Sequence, residues 1–464
     1  MINRHRYLVS CDRTIIMSSS RWCVSLFARY QWTTKFSCFA TFFLGISVAI
    51  GVIFLFKPMK EQFQRQSNFN KIRSQSKVFS PIPFDLHLEE DDHSEVIDLT
   101  IRRTDVDKTS SVVEALSSLQ VALEMRKSGK LEKALKLFEH AIALSPNHPD
   151  VLNHYGEFVE ETNKDIIHAD QLYFKALTHC PDHSRALANR ERVAHSVEEL
   201  DRANLRRIDE KRDSVANIPD NNAALRRAKK EAYFQHIYHT VGIEGNTMTL
   251  SQTRSIVETR IAVGGKSIAE HNEILGLDAA LKYINSTLIN RLGDISVDDI
   301  LEIHKRVLGF VDPLESGVFR RTQVYVGGHV PPRPQHIFPL MNEFADWLNS
   351  EAAQRLHPVR YAALAHYKLV HIHPFNDGNG RTSRLLMNMI LMQAGFPPVI
   401  IMKQDRQRYY RVLELANDGD VRPFMRFIAE CTEKTLDLFL WATAEFAHEV
   451  PALSHNPHRI IIED

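Results

Sequence analysis

The sequence is poor in cysteine and has no excess of either charge. Its 464 residues include five cysteines and no CxxC pair, which argues against a disulfide framework and a cysteine-rich zinc site. Lys and Arg together number 57, as do Asp and Glu, so we expect no nucleic-acid partner. With 18 glycines and 19 prolines, the chain is neither fibrous nor of low complexity. What remains is an ordinary globular composition, long enough for about three structural units.

One long apolar run lies near the N-terminus. Residues 36–56 contain no charged side chain, and these 21 residues match the length that crosses a bilayer core. We predict a transmembrane signal anchor at 36–56, preceded by a short cytosolic tail at 1–35. A cleavable signal peptide is the alternative, but the small residues at 47–49 lie inside the apolar run. Basic residues flank both ends of the run, so they do not decide its orientation.

A sequon gives the only indication of orientation. Asn285 is followed by Ser and Thr, and such an asparagine accepts a glycan only if the C-terminal part faces a lumen. We therefore predict glycosylation at Asn285 and a single-pass type II topology, although sequons also occur by chance.

A linker and two repeats follow the apolar run. Residues 57–114 are polar, with an acidic run, and are typical of a solvated linker. In the segment 115–190 an offset of 35 residues aligns Phe138 with Tyr173 and repeats a helix-pair pattern. It resembles two tetratricopeptide repeats, whose period is about 34 residues. Such repeats form a docking groove for a peptide or chaperone, or a spacer, and the pattern favours neither use.

An amphipathic pattern predicts one helix after the repeats, at 191–218, which would connect them to the rest of the chain. The residues that carry chemistry lie further on, at 371–384, between two segments with helical patterns.

The 371–384 segment reads HIHPFNDGNGRTSR and predicts a loop that opens onto a helix N-terminus. Gly378 and Gly380 would let the backbone approach a ligand, and helix N-termini bind anions. Arg381 and Arg384 add positive charge suited to phosphates. A plain turn between helices would not need this combination.

Two further side chains complete the loop. Asp377 is a hard oxygen ligand suited to Mg²⁺ or Mn²⁺, and His373 can accept a proton near neutral pH. The set predicts phosphoryl or nucleotidyl transfer. A metal site made by His366, His371 and His373 is the alternative, but the spacing is not a usual zinc pattern.

Residues 373–381, HPFNDGNGR, match at every position the signature HPFx(D/E)GN(G/K)R of Fic-domain enzymes. The resemblance extends over residues 219–435, and the apolar run and repeats are similar to those of the metazoan Fic-domain adenylyltransferases of the endoplasmic reticulum. It implies an all-α fold, namely repeats joined by a long helix to a Fic domain with a small β-hairpin, behind a transmembrane helix. A C-terminal tail would occupy 436–464.

The resemblance also implies an activity. Enzymes of this family transfer AMP from ATP to Ser or Thr hydroxyls, chiefly of the luminal Hsp70 chaperone, and also remove it. The resemblance further implies a membrane-anchored protein of the endoplasmic reticulum that uses ATP and Mg²⁺ as cofactors. It also implies a homodimer formed through the Fic domain. A Fic-type phosphocholine transferase and a non-catalytic scaffold remain as alternatives.

Site roles follow from the resemblance residue by residue. His373 would be the base, Asp377 the metal ligand, and Arg384 the contact to the γ-phosphate. The remaining ATP contacts would come from the signature loop, the hairpin and a later helix: Gly378, Asn379, Gly380, Arg381, Thr382, Ser383, Val326, Gly327, Gly328, His329, Tyr409, Tyr410 and Asn417. Tyr409 and Tyr410 could instead be ordinary helix-packing residues with no contact to ATP.

Two other segments resemble parts of the family. Residues 240–246 resemble its inhibitory motif, in which Thr240 and Glu244 share a helix face and Glu244 would bind Arg384 in place of the γ-phosphate. As a lone residue, Glu244 would be a surface acid. Residues 322–332 alternate β-branched and aromatic side chains around Gly-Gly and predict a β-hairpin, the flap that binds a target backbone.

Overall fold

The computed structural model describes residues 105–291 and 293–444. The predicted anchor at 36–56 and most of the predicted linker and C-terminal tail lie outside these ranges. Among the helices described, none combines the length and the apolar character needed to span a membrane.

The described residues form fifteen α-helices and no β-strand. Their bounds are α1 Asp105–Lys127, α2 Leu131–Leu144, α3 Pro149–Asn163, α4 Ile166–His179, α5 Ser184–Ala216, α6 Ala223–Ile243, α7 Leu250–Thr259, α8 Ile268–Tyr283, α9 Val297–Leu308, α10 Pro334–Asn349, α11 Glu351–Gln354, α12 Pro358–Ile372, α13 Asn379–Gln393, α14 Arg406–Asn417 and α15 Arg422–Thr443. A π-helical turn, Ile284–Leu288, follows α8, and a 3₁₀ turn, Lys403–Asp405, precedes α14.

Helices α1 to α4 form two consecutive helix pairs, each with its own small core. Phe138 and Tyr173, the aromatic residues that the 35-residue offset aligns, are both fully buried. Ala141 and Ala176 are buried beside them, where small side chains allow the paired helices to approach. The assignment of these pairs to the tetratricopeptide family stays a prediction.

Three predicted boundaries differ from the structure. Helix α1 begins at Asp105, inside the predicted linker, because its later residues pack on α2. The connecting helix α5 begins at Ser184 rather than at 191, since Ala186 is buried against the second helix pair. The last helix runs past 435, and Leu436 and Phe439 are buried in the core, so the tail cannot begin at 436.

Helix α5 packs along α15 and connects the repeats to the C-terminal domain. Its apolar residues Leu205 and Ile208 join the large core. Its charged residues pair across the interface: the Arg426 guanidinium donates to both carboxylate oxygens of Asp201, at 2.8 and 2.9 Å. The charged composition of α5 is therefore partly an interhelical contact rather than a solvated face.

The core of the C-terminal domain surrounds α12 and α13. Helix α13 is buried on all sides, with Leu385, Leu386, Met387 and Leu391 fully inaccessible, as expected for a helix at the centre of a domain. Only residues 373–378 separate it from α12, so the C-terminus of α12 and the N-terminus of α13 lie together. The signature loop thus lies between two rigid helices.

The predicted β-hairpin at 322–332 is not confirmed by the structure. Residues 322–332 contain a single antiparallel bridge, in which Val326 and His329 exchange backbone hydrogen bonds of 3.1 and 3.0 Å. No strand extends from it within the described residues. Pro331 and Pro332 cannot donate backbone hydrogen bonds to a ladder, which limits the pairing on that side. We keep the name flap for residues 322–332.

Candidate active site

His373 lies where α12 ends. Its backbone φ of 49° is left-handed, which is uncommon outside glycine and turns the chain sharply into the loop. Its backbone N–H donates to Leu369 O at 3.0 Å, and its carbonyl accepts from Arg320 Nε at 2.7 Å. The two bonds fix the residue that the signature places as the base.

The His373 ring is neutral over most of the pH range. Burial lowers its pKa from 6.5 to about 4, and the positive charge of Arg320 acts in the same direction. Its Nδ1 is buried without a hydrogen-bond partner. An imidazole that is unprotonated at neutral pH can accept a proton from a bound hydroxyl.

The loop after His373 is shaped by its own side chains. Asn379 Oδ1 accepts from Phe375 N at 3.0 Å, and Asn379 Nδ2 donates to Phe375 O at 2.8 Å. With 3% exposure, the Asn379 side chain faces the loop backbone rather than a phosphate. Ser383 and Thr382 are also fully buried, and Ser383 Oγ donates to Asn379 O at 2.8 Å. In this conformation Asn379 and Ser383 shape the loop, whereas the buried Thr382 hydroxyl makes no hydrogen bond.

His304 of α9 is a site residue that the sequence reasoning missed. Its ring stacks on Phe375, with centroids 3.6 Å apart, and its Nε2 lies 2.9 Å from Asp377 O. Gly317 N donates to His304 Nδ1, so Nε2 carries the proton and donates to the loop. A Cβ at Gly378 would lie 3.1 Å from this nitrogen, and Gly378 has φ 79°, so glycine is required there. Nothing in a single sequence marks His304.

Asp377 has the properties of a ligand for a phosphate-bound metal. Although burial opposes it, Arg381 lowers the pKa of Asp377, and the carboxylate is ionised at neutral pH. Its side chain is 67% exposed, and its oxygens accept from Gly378 N and Arg381 Nη2, each at 2.6 Å. Mg²⁺ commonly binds through one carboxylate together with substrate phosphates, so this donor set fits. A protein-only cluster of three or more His, Cys, Asp or Glu is absent from the described residues.

We define the anion cradle as the N-terminus of α13 with Arg381 and Arg384. Both guanidiniums are almost fully buried, at 2% and 1% exposure. Arg381 Nε and Nη1 and Arg384 Nε are buried without hydrogen-bond partners. Buried donors that lack partners are costly, and an anionic ligand would satisfy such groups.

The carboxylate of Glu244 lies in this cradle. Its Oε1 is 2.5 Å from Arg384 Nη2, and the same nitrogen donates to Thr240 O at 3.1 Å. A Cβ at Gly380 would lie 2.5 Å from Glu244 Oε1, so the carboxylate is directly above the α13 N-terminus. Thr240 contributes its backbone oxygen to this contact. The structure therefore brings together the two segments that sequence reasoning paired, which are 140 residues apart.

The segment around Glu244 is fixed by hydrogen bonds from side chains. Helix α6 ends at Ile243, whose carbonyl accepts from Arg406 Nε at 2.6 Å. Asn246 Nδ2 donates to Glu273 Oε2 at 2.8 Å. These bonds place the Glu244 side chain over Gly380.

The two tyrosines of α14 occupy different environments. Tyr409 is 1% exposed, and its hydroxyl lies 3.0 Å from His366 Nε2 and 3.4 Å from Arg384 Nη1. This places Tyr409 in the core behind Arg384, in agreement with the packing alternative, and its contact with the nucleotide stays a prediction. Tyr410 is half-buried, with its hydroxyl 3.5 Å from Glu244 Oε2.

The other predicted residues lie near the end of α12. Asn417 is exposed, and its Oδ1 lies 3.2 Å from His371 Nδ1. His329 of the flap donates through Nε2 to His371 O at 2.9 Å, so the flap turn lies against the last turn of α12. Val326, Gly327 and Gly328 are exposed at that turn. Asn285 is exposed in the π-helical turn, where a glycan would meet no steric obstacle from burial.

The histidine metal site considered as an alternative does not form. His366 is completely buried, and its Nε2 accepts a hydrogen bond from Tyr409. His371 is hydrogen-bonded towards Asn417. The three histidines therefore do not converge on one point.

Comparisons with known proteins agree with this geometry. The model of the Fic/DOC family matches residues 294–391, which span α9 to α13. Protein adenylyltransferase Fic of Aedes aegypti is 65% identical over 343 residues, which cover 74% of this chain and 69% of that protein. The protein of the same name from Drosophila yakuba is 64% identical over 347 residues, covering 75% and 70%.

A solved structure of Fic-1 from C. elegans has a TM-score of 0.66 at 44% identity. It covers 71% of this chain and 98% of the solved chain. A Fic-domain protein is thus defined by the helical fold together with the signature loop and the anion cradle. The chain belongs to the metazoan family of Fic protein adenylyltransferases.

Proposed function

We propose that this protein transfers AMP from ATP to Ser or Thr hydroxyls of a protein substrate. The observation that carries the proposal is the neutral His373 ring beside an anion cradle in which three buried arginine nitrogens, Arg381 Nε, Arg381 Nη1 and Arg384 Nε, make no hydrogen bond. The high sequence identity of this chain to adenylyltransferases of the same family supports ATP as the nucleotide.

In the proposed reaction, ATP lies along the loop from Asp377 to Arg384. His373 accepts the proton of the target hydroxyl, and the oxygen attacks the α-phosphorus. The bond from the α-phosphorus to the bridging oxygen breaks, and pyrophosphate leaves. Mg²⁺ bound at Asp377 would neutralise charge on the phosphates. The backbone of the α13 N-terminus and the two arginines bind the developing negative charge.

The Glu244–Arg384 contact supports autoinhibition. A phosphate and the Glu244 carboxylate cannot both occupy the space above Gly380, so Glu244 would displace the γ-phosphate and misalign the α-phosphate. The same carboxylate would serve AMP removal: Glu244 orients a water and accepts its proton as the water oxygen bonds to the phosphorus. The bond from the phosphorus to the Ser or Thr oxygen breaks, a His373 ring that carries a proton donates it to that oxygen, and AMP leaves.

For partner and location, we propose a luminal Hsp70-type chaperone and a single-pass type II protein of the endoplasmic reticulum membrane. The apolar run at 36–56 and the exposed sequon asparagine Asn285 support this location. We also propose a homodimer through the Fic domain, where Ile261 and Ile268 expose 69% and 78% of their surface. Light scattering of the purified domain tests the dimer.

The deciding experiment labels a luminal Hsp70 with α-labelled ATP or with labelled CDP-choline, in parallel. Label from ATP alone supports the proposal. Label from CDP-choline alone would make the protein a phosphocholine transferase. Absence of both, in the wild type and in a variant without the Glu244 carboxylate, would leave a non-catalytic scaffold.

A further inference from the structure

Arg320 is buried between the flap and the catalytic loop. It is 2% exposed, and its side chain donates to three backbone carbonyls: Nε to His373 O at 2.7 Å, Nη1 to Thr322 O at 2.9 Å and Nη2 to Pro332 O at 2.5 Å. Its backbone N–H donates to Pro374 O at 2.9 Å. One residue thus binds both ends of the flap and the end of α12.

These three carbonyls come from separate parts of the chain. Thr322 and Pro332 are the two ends of the flap, and His373 lies 53 residues from Arg320. A planar guanidinium offers donors in fixed directions, so it sets the relative positions of all three acceptors. A lysine ammonium at the same place is a single flexible point and cannot reproduce this geometry.

The flap needs such contacts because it has no strand pairing beyond one bridge. Gln323 supports it from within, since its Nε2 donates to Pro331 O at 2.8 Å and Val324 O at 3.1 Å. The shape and the position of the flap therefore depend on side-chain donors to backbone carbonyls.

We propose that Arg320 is a positioning residue that sets the place of the flap relative to the His373 ring. A target backbone lying along the flap would then bring its hydroxyl to the base, while the phosphates of ATP, which supply most of the charge recognised, bind on the anion cradle. The inference rests on the proposed AMP transfer. Since its charge also helps to keep His373 unprotonated, Arg320 acts on the base in a second way.

The test uses the full chain carrying Glu244→Gly as the parent, so that transfer is measured without the Glu244 carboxylate. Arg320→Lys retains the positive charge but loses the planar guanidinium with its several N–H donors. Arg320→Gln loses both the guanidinium and the charge. Arg321, its exposed neighbour, provides matched controls as Arg321→Lys and Arg321→Gln. AMP transfer to the chaperone, ATP affinity by calorimetry and melting temperature are measured for each variant.

We expect Arg320→Lys to lower AMP transfer to protein on the order of tenfold to a hundredfold, because small misplacements of reacting groups cost that much. The ATP affinity of Arg320→Lys should stay within about twofold of that of the parent. The Arg321 variants should keep both AMP transfer and ATP affinity within about twofold of the parent values. In Arg320→Gln the acidic limb of the pH–rate profile should also move to higher pH, because the base loses a neighbouring positive charge. A purely structural role would not move that limb.

The outcomes separate two failures. A parent without AMP transfer overturns the proposed function itself. An active parent with an equally active Arg320→Lys variant overturns the positioning role. If Arg320→Lys does not fold, Gln323→Ala decides, since it loosens the flap at a partly exposed position: unchanged transfer in that variant overturns the inference, and a selective loss with normal ATP affinity supports it.

Discussion

Removing the Glu244 carboxylate should reverse the balance of two activities. In Glu244→Gly, Arg384 loses a charged partner at 2.5 Å in a contact where the arginine is 1% and the glutamate 27% exposed. A hydrogen bond between charged groups contributes roughly 1.5–3 kcal/mol. If ATP must displace that contact to bind productively, its loss should raise AMP transfer roughly 10- to 150-fold, at about 1.4 kcal/mol per decade.

The same substitution should abolish AMP removal, because it deletes the group that would orient water. The assay pairs incorporation of radiolabelled AMP into a luminal Hsp70 with release of AMP from chaperone that has already been modified. Glu430→Gln is the control, since Glu430 forms a bidentate contact with Arg408 on the surface, with Arg408 nitrogens at 2.9 and 2.6 Å. This control should change neither activity.

Opposite signs are the informative feature of this experiment. A folding defect lowers both activities, and a general gain in ATP affinity cannot explain a loss of removal. If Glu244→Gly loses both or gains both, Glu244 does not regulate the cradle and the role assigned to 240–246 is refuted.

Four further measurements test other parts of the site. His373→Ala should abolish both transfer and removal of AMP, because one proton carrier serves both directions; near-normal rates in either assay contradict the assignment. Gly380→Ala should weaken ATP binding in calorimetry, since its Cβ would lie 2.5 Å from Glu244 Oε1 in the space where a phosphate must approach; unchanged affinity would show that phosphates bind elsewhere. In cells, Asn285→Gln should remove a glycosidase-sensitive mass shift, and a wild type without any shift removes the sequon as support for a luminal domain. Finally, burial lowers the pKa of His236 and His304 from 6.5 to about 4, so the unfolded chain binds more protons than the folded chain between these pH values. The free energy of unfolding should therefore fall as the pH decreases from about 6.5 to 4, by up to about 3 kcal/mol for each histidine. A melting temperature that stays constant over that interval contradicts this prediction.

Helix positions near the signature loop were largely predictable. Apolar periodicity and the flanking Pro358 and Gly395 indicated helices on either side of the loop, and the structure has α12 and α13 there. The flap was predicted as a hairpin because its residues favour strands, yet residues 105–291 and 293–444 contain no strand with which it could pair. Strand propensity expresses packing on a sheet, and the described part of the chain supplies none.

Apart from Glu244, which resemblance to a family motif indicated, site residues that act through distant contacts could not be predicted. Arg320 and Arg321 are adjacent arginines in the sequence, and only packing decides that the first is 2% exposed and the second is on the surface. Tertiary packing also decides that Tyr409 is buried behind Arg384. Propensity and periodicity describe neighbours along the chain, not partners across the fold.

The sequence by itself determined which residues carry the proposed chemistry at 373–384, because the proposed base and metal ligand, the glycines and the arginines are contiguous and their spacing sets the helix N-terminus beside them. Resemblance to the family also paired Glu244 with Arg384, which lies 140 residues away. The tertiary structure alone decided two other contacts: His304 binds the loop across 73 residues, and Arg320 binds His373 across 53. Such contacts depend on how α6 and α9 pack around α13, and packing is a property of the whole core rather than of any local segment.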